Sequence, residues 1–149
     1  MPEDICQIIP HRPPFLFIDE ILEVSDSGVR ASRTIRSEEP QFIGHYPGNP
    51  IMPGVLLCEA VFQAGAVFLS RKLDVDVGGD TTALTPVLTR IKDAKFKNMV
   101  KPGDELIVEA THIETLGKFY FLKGKITRDG RPLMTVTFSF AMVEGDKTE

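Results

Sequence analysis

Two residues capable of acid–base chemistry lie close together in the middle of this chain, one on a stiff loop and one in an apolar segment. The loop at residues 44–54 is rich in glycine and proline and contains His45, whose imidazole can exchange a proton near neutral pH. Residues 55–69, which follow, contain Glu59 among almost uninterrupted apolar side chains. A histidine and a carboxyl group in apolar surroundings predict proton transfer to and from an apolar substrate.

The apolar segment is predicted to be a helix, with Glu59 as its anomaly. Residues 55–69 read VLLCEAVFQAGAVFL, and Glu59 and Gln63 are the only strongly polar side chains among them. A surface helix has one polar face, so we expect this one to be buried on all sides. Burying a charged carboxylate is costly. We therefore expect Glu59 to have a hydrogen-bonding partner, to be protonated, or to serve the function of the protein. Gln63, four residues later and on the same helical face, is the predicted partner.

Composition and charge limit what the chain can be. The 149 residues are 42% hydrophobic and 26% charged, which is ordinary for a globular protein and predicts one domain over residues 1–149. A net charge of −4 argues against nucleic acid as a partner. Residues 55–69 are short for a membrane span and contain a carboxylate, so we expect no membrane insertion. The start lacks a secretory pattern and Cys6 and Cys58 form no framework, and we expect a cytoplasmic protein.

A local cluster of basic residues contrasts with the overall negative charge. Five basic residues and one acid stand between positions 90 and 101. Such a patch can attract an acidic partner, or it can protect an exposed strand edge, and both interpretations stay open. The cluster consists of Arg90, Lys92, Lys95, Lys97 and Lys101, and Arg71 and Lys72 are further candidates.

The elements around the helix are predicted to be mainly β-strands, which makes the fold class α+β. The helix is expected to end near Ser70, and small residues at 60 and 64–66 would let strands approach it closely. Short turns are predicted at Leu116-Gly117, at Asp129-Gly130 and at residues 101–104. We expect one long, central, apolar helix wrapped by a curved antiparallel sheet. The segments predicted are helical turns at 3–9, strands at 15–24 and 29–35, a connection at 74–80, and strands at 82–89, 90–98, 104–115, 118–128 and 132–143.

Three blocks of the sequence resemble the 3-hydroxyacyl-[acyl-carrier-protein] dehydratases, the FabZ-like family. Residues 9–19, IPHRPPFLFID, resemble the family opening LPHRxPFLxxD. Residues 44–63 are similar to the signature GHFPGxPxxPGVLxxEaxxQ, with Tyr46 in place of the usual phenylalanine. Residues 95–104, KFKNMVKPGD, resemble KFxxxVxPGD. The blocks occur in the order typical of the family and span most of the chain.

The resemblance implies a fold, an assembly and a reaction. The implied fold is the hotdog, and the implied assembly is a dimer that joins two sheets, with a trimer of dimers as a further form. The implied reaction is reversible dehydration of a (3R)-hydroxyacyl thioester to the trans-2-enoyl thioester in fatty acid biosynthesis. Acyl carrier protein is the implied partner, docked on the basic cluster, and neither a cofactor nor a metal is implied. We expect the acyl tail to enter an apolar tunnel between helix and sheet.

The resemblance also implies roles for individual residues. His45 of one subunit would face Glu59 of the other, with His45 as base at the α-carbon and Glu59 as donor to the leaving hydroxyl. The reverse sharing of these roles, or both proton transfers by one residue, stays open. Gly54 would hold the thioester carbonyl through its backbone N–H, and Gln63 would fix Glu59; the free donors at a helix N-terminus support the former independently. We expect His11 and Arg12 to organise the fold or the entrance, and His112 to have no role.

Several other functions stay open at this point. A related branch of the family couples dehydration to isomerisation and has Asp at the acid position, so Glu59 favours simple dehydration. Hotdog acyl thioesterases and acyl-CoA hydratases lack this spacing, and a non-catalytic acyl-carrier-binding module would have no need of His45 and Glu59 together. A zinc hydrolase would require His11, His45 and His112 to converge on one metal.

Overall fold

Six antiparallel strands and one long helix form most of the structure, a computed structural model that describes residues 4–74 and 84–144. The strand order is β1-β2-β4-β5-β6-β3, and all neighbouring strands run antiparallel. This α+β arrangement is the hotdog fold, as predicted. The elements are α1 (Ile5–Ile8), β1 (Glu20–Val24), β2 (Gly28–Thr34), a 3-10 turn (Pro40–Phe42), α2 (Gly54–Lys72), β3 (Thr85–Phe96), β4 (Glu105–Leu116), β5 (Phe119–Arg128) and β6 (Arg131–Val143).

Helix α2 is the core of the fold, and small residues let the sheet come close to it. It is apolar enough to cross a membrane by composition, but 72% of that stretch is buried in the fold, so it is a core helix. A Cβ added to Gly65 would lie 3.0 Å from a ring carbon of Phe138. A Cβ added to Gly124 on β5 would lie 2.2 Å from Cγ1 of Val61. Gly124 therefore allows an approach that a side chain would prevent, and Gly65 allows a contact that a larger residue would make too tight.

The turns follow the sequence signals. Asp129 and Gly130 both have positive φ, 52° and 79°, and join the paired residues Arg128 and Arg131 as a two-residue hairpin. In the turn at 101–104, Gly103 has a φ of 97° and Asp104 accepts the Lys101 N–H through its carboxylate at 2.9 Å. The predictions for β2, β4, β5 and β6 are confirmed to within one or two residues.

The prediction of a strand from residue 15 is wrong, because β1 begins only at Glu20. The backbone N–H of Phe17 and the carbonyl of Phe15 are bound by the side chain of Gln63 on α2. These groups pair with a helix side chain and not with a neighbouring strand. A hydrophobic run of this kind gives no local indication that its backbone has such a partner.

The prediction of two strands at 82–89 and 90–98 is also wrong, because the structure has one long strand, β3. Its register against β6 shifts between Leu88 and Arg90 and again between Lys92 and Lys95. Asp93 has a positive φ of 53° at the second shift. Bulges absorb the breaks in the hydrophobic pattern, so no turn is required. The predicted connection at 74–80 lies, beyond Asp74, outside the described residues, as does the start of the predicted strand at 82.

Burial of α2 on all sides is not found in the single chain. Residues from Leu57 to Ser70 are buried except Glu59, but the first turn is open and Val55 is 74% exposed. The sheet of the same chain reaches this end of the helix at Gly54, beside Phe96, and leaves Val55 uncovered. The exposed turn lies at the end of the loop that carries His45.

Candidate active site

Glu59 lies on the face of α2 that meets the start of the chain. Its side chain is 22% exposed, and its Oε2 accepts a hydrogen bond from Nε2 of Gln63 at 3.1 Å. Nε2 of His11 lies 3.4 Å from the same oxygen. Helical spacing alone predicts the contact between Gln63 and Glu59. The contact with His11 was not predicted, because His11 and Glu59 stand 48 positions apart in the sequence and no local signal indicates that they meet.

Gln63 links the helix to the opening segment. Its side chain is fully buried, and both its amide oxygen and its amide nitrogen form hydrogen bonds. Oε1 accepts the Phe17 N–H at 2.8 Å, while Nε2 donates to the Phe15 carbonyl at 2.8 Å as well as to Glu59. These bonds fix the amide orientation, and they hold the Glu59 carboxyl in one position.

A cavity of about 200 Å³ adjoins the carboxyl group. Apart from His11 and Glu59, its walls are apolar, and they come from the opening segment, from α2 and from strands β3 and β6. An apolar cavity with a carboxyl group in its wall suits an acyl chain that carries one polar function. The lining residues are Pro10, His11, Glu59, Phe62, Ala66, Pro86, Leu88 and Phe140.

The ring of His45 is held in one tautomer by its own loop. Nδ1 lies 2.7 Å from the carbonyl oxygen of Ile51, and a carbonyl can only accept, so Nδ1 carries the proton. Nε2 is then the unprotonated nitrogen and can act as a base. The ring is half-buried and packs at 4.5 Å from the ring of Tyr46, whose own side chain is exposed to solvent.

Two further sets of bonds fix the connection between β2 and α2, which includes this loop, to β2 and to the segment after β3. The Met52 N–H donates to the carbonyl of Val100 at 2.7 Å. At the other end of the loop, Glu39 accepts hydrogen bonds from the buried Arg33 guanidinium, from the Arg36 N–H and from the Gln41 amide. The loop that carries His45 is therefore anchored on both sides.

Gly54 presents free backbone donors at the start of α2. Pro53 is the N-cap and provides no side-chain acceptor, and its carbonyl accepts from Leu56 and Leu57. Among the described residues, the N–H groups of Gly54 and Val55 have no acceptor. A Cβ at residue 54 would lie 2.9 Å from the ring of Phe96, so a larger residue would require that ring to move. Unpaired donors and the positive end of the helix dipole suit a developing oxyanion.

Within one chain, the described contacts do not bring His45 and Glu59 together. His45 contacts Ile51 and Tyr46, whereas Glu59 contacts Gln63 and His11. Each group is nevertheless positioned and at least partly accessible. Within one chain the two groups therefore lie in separate places, His45 on its loop and Glu59 on the face of α2.

Cys58 is buried beside Glu59, as expected of a small apolar residue in the core. Burial raises the pKa of the Cys58 thiol, and the negative charge of Glu59 raises it further. A thiol with a raised pKa stays protonated and is a poor nucleophile at neutral pH. The cysteine therefore has a packing role.

The five basic residues predicted for docking are all exposed. Lys92 pairs with Thr137 and Lys95 with Thr135, so the bulge between them keeps both side chains on the sheet face that is turned away from α2. They line neighbouring hollows of about 230 and 640 Å³, the second of which also contains Lys123 and Lys125. Arg90 lines the smaller hollow. Lys97 and Lys101 lie just after β3, next to Phe96, which contacts Gly54, and Val100, which accepts the Met52 N–H.

The three histidines do not converge. His112 bonds the Thr115 hydroxyl at 2.7 Å through Nε2, and His11 and His45 have the separate contacts given above. Across residues 4–74 and 84–144, no three His, Cys, Asp or Glu side chains form a cluster that could hold a metal ion. The arrangement offers no support to the zinc hydrolase alternative.

Comparison with known proteins shows the family. A model described as the FabA-like domain matches residues 9–137. A protein named 3-hydroxyacyl-[acyl-carrier-protein] dehydratase FabZ from Herpetosiphon aurantiacus is 39% identical over 144 residues, which are 95% of this chain and 97% of that protein. A protein of the same name from Clostridium perfringens is 38% identical over 139 residues, 93% and 96% of the two chains. One from Rickettsia felis is 33% identical over 146 residues, 97% and 96% of the two chains.

Solved structures agree on the fold. The dehydratase heterocomplex ApeI:P from Xenorhabdus doucetiae matches with a TM-score of 0.77 at 19% identity, over 100% of this chain and 94% of that one. A hypothetical thioesterase with coenzyme A from Streptococcus pneumoniae matches with a TM-score of 0.61 at 18% identity, over 86% of this chain and 88% of that one. Such distant matches establish the hotdog fold and do not choose between dehydration and hydrolysis. The family model and the relatives, which are 33–39% identical over at least 96% of their own length, distinguish these activities. This chain belongs to the FabA-like family, among the FabZ-type 3-hydroxyacyl-[acyl-carrier-protein] dehydratases.

Proposed function

We propose that this protein removes water from (3R)-hydroxyacyl-[acyl-carrier-protein] thioesters to give trans-2-enoyl thioesters, through acid–base catalysis by Glu59 and His45. The observation that carries the proposal is the carboxyl group of Glu59, which Gln63 holds in the wall of an apolar cavity. An acyl chain fills the cavity, and its 3-hydroxyl is the one polar group that needs a partner there. The reaction requires no cofactor and no metal.

His45 is the base in this mechanism. Its Nε2 lone pair, left free by the bond from Nδ1 to Ile51, takes the proton from the α-carbon. The electron pair of the broken C–H bond forms the new double bond, and the C–O bond at the β-carbon breaks. Glu59 gives its proton to the departing hydroxyl, which leaves as water. The proton on His45 then returns to Glu59, directly or through solvent, and the site is ready for another cycle.

Gly54 stabilises the charge that develops during proton abstraction. The α-proton is weakly acidic, so negative charge builds on the thioester oxygen as the proton leaves. The free N–H groups of Gly54 and Val55 are donors at the positive end of α2, and we assign the former to that oxygen. A glycine also leaves room beside the ring of Phe96.

We propose that the complete site forms between two copies of the chain. Large apolar side chains are exposed around the half-site that contains His45: Ile43 is 81% exposed and Val55 74%. Strand β3 is a sheet edge of 12 residues, and two of its residues, Pro86 and Leu88, also line the cavity beside Glu59. A second copy seated there would cover the apolar surface and the open edge together, and it would bring His45 to Glu59.

Acyl carrier protein is the proposed partner, and the basic cluster is its proposed docking site. Lys97 and Lys101 are the best placed members, because each directly follows a residue that contacts the start of α2 or the loop before it. Phe96 lies against Gly54, and Val100 accepts the Met52 N–H. A carrier bound there would deliver its acyl thioester next to the half-site with His45. We further propose that residues 1–149 form one domain and that the enzyme acts in the cytoplasm.

The test is turnover of a 3-hydroxybutyryl thioester, followed by mass spectrometry of the products. The wild type is expected to yield the enoyl thioester and water, and the variants His45→Ala and Glu59→Gln are expected to lose about 100- to 10,000-fold in kcat while remaining folded. Wild-type rates in either variant would remove that residue from the mechanism. Release of the free acid by the wild type would indicate a thioesterase in place of a dehydratase.

A further inference from the structure

We propose that His11 is a positioning residue for Glu59, and that together with Gln63 it assigns different tasks to the two carboxyl oxygens. This inference rests on the proposed function. Nε2 of His11 lies 3.4 Å and Nε2 of Gln63 lies 3.1 Å from Oε2 of Glu59. Among the described residues, both polar contacts of the carboxyl group reach Oε2, and none reaches Oε1.

The surroundings of His11 indicate which ring nitrogen carries the proton. Nδ1 is buried and has no hydrogen-bond partner among the described residues. A buried N–H without an acceptor costs more than a buried lone pair without a donor, so Nδ1 is the unprotonated nitrogen. Nε2 then carries the hydrogen, and it is the ring nitrogen that faces Glu59, at 3.4 Å from Oε2. The ring of Phe15 lies nearly parallel to the imidazole, with the ring centres 6.4 Å apart.

A neutral donor suits a carboxyl group that must gain and lose a proton in every cycle. A lysine or arginine at this place would hold Glu59 as an anion through a charge–charge interaction. The imidazole and the amide instead occupy Oε2 without adding charge. The proton that Glu59 gives to the departing hydroxyl is then on Oε1, the oxygen that neither of them binds.

The cavity is consistent with this division of tasks. His11 and Glu59 are its only polar walls among the described residues, and the facing walls from β3 and β6 are Pro86, Leu88 and Phe140. No other described side chain in the cavity can therefore hold the carboxyl group or receive its proton. Loss of the imidazole would let the carboxyl group turn, with Gln63 as its one remaining partner.

The test compares a variant without a donor with a variant that restores one. His11→Phe keeps a ring beside Phe15 but has no donor, and we expect kcat to fall about 10-fold with KM within about twofold of the wild type. His11→Gln has an amide N–H at the reach of Nε2, and kcat is expected to return to within about threefold of the wild type. Thermal unfolding of both variants is measured alongside.

A double variant separates action through Glu59 from a general effect on the fold. If His11 works through Glu59, adding His11→Phe to Glu59→Gln leaves the residual rate unchanged. The inference is wrong if His11→Phe has the kcat of the wild type, if His11→Gln is as impaired as His11→Phe, or if the two losses multiply. If His11→Phe does not fold, His11→Ala replaces it, and failure of both to fold would make the role of His11 structural and overturn the inference.

The same experiment distinguishes this inference from the proposed function. A wild type that does not dehydrate the thioester refutes the proposed function. An active wild type, an inactive Glu59→Gln variant and an unimpaired His11→Phe variant refute only the role of His11.

Discussion

Gln63 shows how one side chain can connect the opening segment of the chain to its chemistry. It is fully buried in an otherwise apolar helix, where an unpaired amide would be costly. Its three bonds satisfy Phe15, Phe17 and Glu59 at once. Because the same amide binds the backbone and the carboxyl group, the position of Glu59 depends on the docking of residues 15–17.

Replacing Gln63 by Leu is expected to destabilise the protein. The change leaves the buried Phe17 N–H without a partner, at about 1–3 kcal/mol, and it also removes the partner of the part-buried Phe15 carbonyl. We expect the free energy of unfolding, measured by urea denaturation, to fall by about 2–4 kcal/mol. The matched control is Gln7→Leu, an exposed residue of α1, for which a change within about 0.5 kcal/mol is expected. Equal losses in the two variants would contradict the role of the Gln63 bonds.

At the scale of elements, strand β3 and the segment after it combine several features. The strand is an edge of the sheet, and the bulge at Asp93 keeps Lys92 and Lys95 on the outer face. Its last residue, Phe96, packs against Gly54 at the start of α2. Lys97 and Lys101 therefore lie close to the proposed oxyanion donors, and this places positive charge where an acidic carrier would deliver its thioester.

Charge reversal at Lys97 is expected to weaken the use of carrier-linked substrate alone. We expect Lys97→Glu to raise KM for the acyl-carrier-protein thioester about fivefold, since an exposed charge pair is worth up to about 1 kcal/mol. The rate with a short thioester that lacks the carrier should not change, and added salt should reduce the difference. Lys118→Glu, at the opposite end of the sheet, is the control with the same change in charge. Equal losses on both substrates would mean that Lys97 has a structural role.

At the scale of the whole molecule, the fold of one chain separates the two reactive groups. His45 is held by a loop that is anchored to β2 and to the segment after β3, while Glu59 faces the opening segment. The exposed apolar side chains around His45 and the open edge of β3 need a cover. The proposed second copy of the chain would satisfy both requirements, and it would supply the missing group to each half-site.

Mixing two inactive variants tests whether the site is shared. In a dimer of His45→Ala with Glu59→Gln, one site has both substitutions and the other has an intact His45 and an intact Glu59. We expect the heterodimer, made by co-expression with two different purification tags, to recover about half of the wild-type activity per dimer, against losses of about 100-fold or more in each homodimer. No recovery in a heterodimer shown to form would place both residues in one chain.

Parts of the fold were predictable because their causes are local. The turn at Asp129-Gly130 requires positive φ at two adjacent residues, and the sequence has residues that tolerate it. Alternating apolar residues predict β2, β4, β5 and β6, and the apolar run predicts α2. The start of β1, and the fact that β3 is one long strand and not two, were not predictable. They depend on a side chain of a distant helix and on bulges in the pairing with β6.

Parts of the candidate site were predictable for the same reason. Gln63 is within one helical turn of Glu59, so spacing alone indicates their contact. His45 was identified by its motif, but the tautomer of its ring follows from the bond to Ile51, which only the folded loop reveals. His11 is separated from Glu59 by 48 residues, and the packing of the opening segment on α2 joins them.

The sequence by itself determined the long apolar helix, the acid placed within it, the histidine loop before it and the family to which the chain belongs. These properties depend on residue types and on spacings of a few positions, which the chain carries into any environment. The tertiary structure decided which oxygen of Glu59 is held, which nitrogen of His45 is free and which surfaces remain open. Those are properties of groups that meet across long stretches of chain, and they exist only after the sheet has closed around α2.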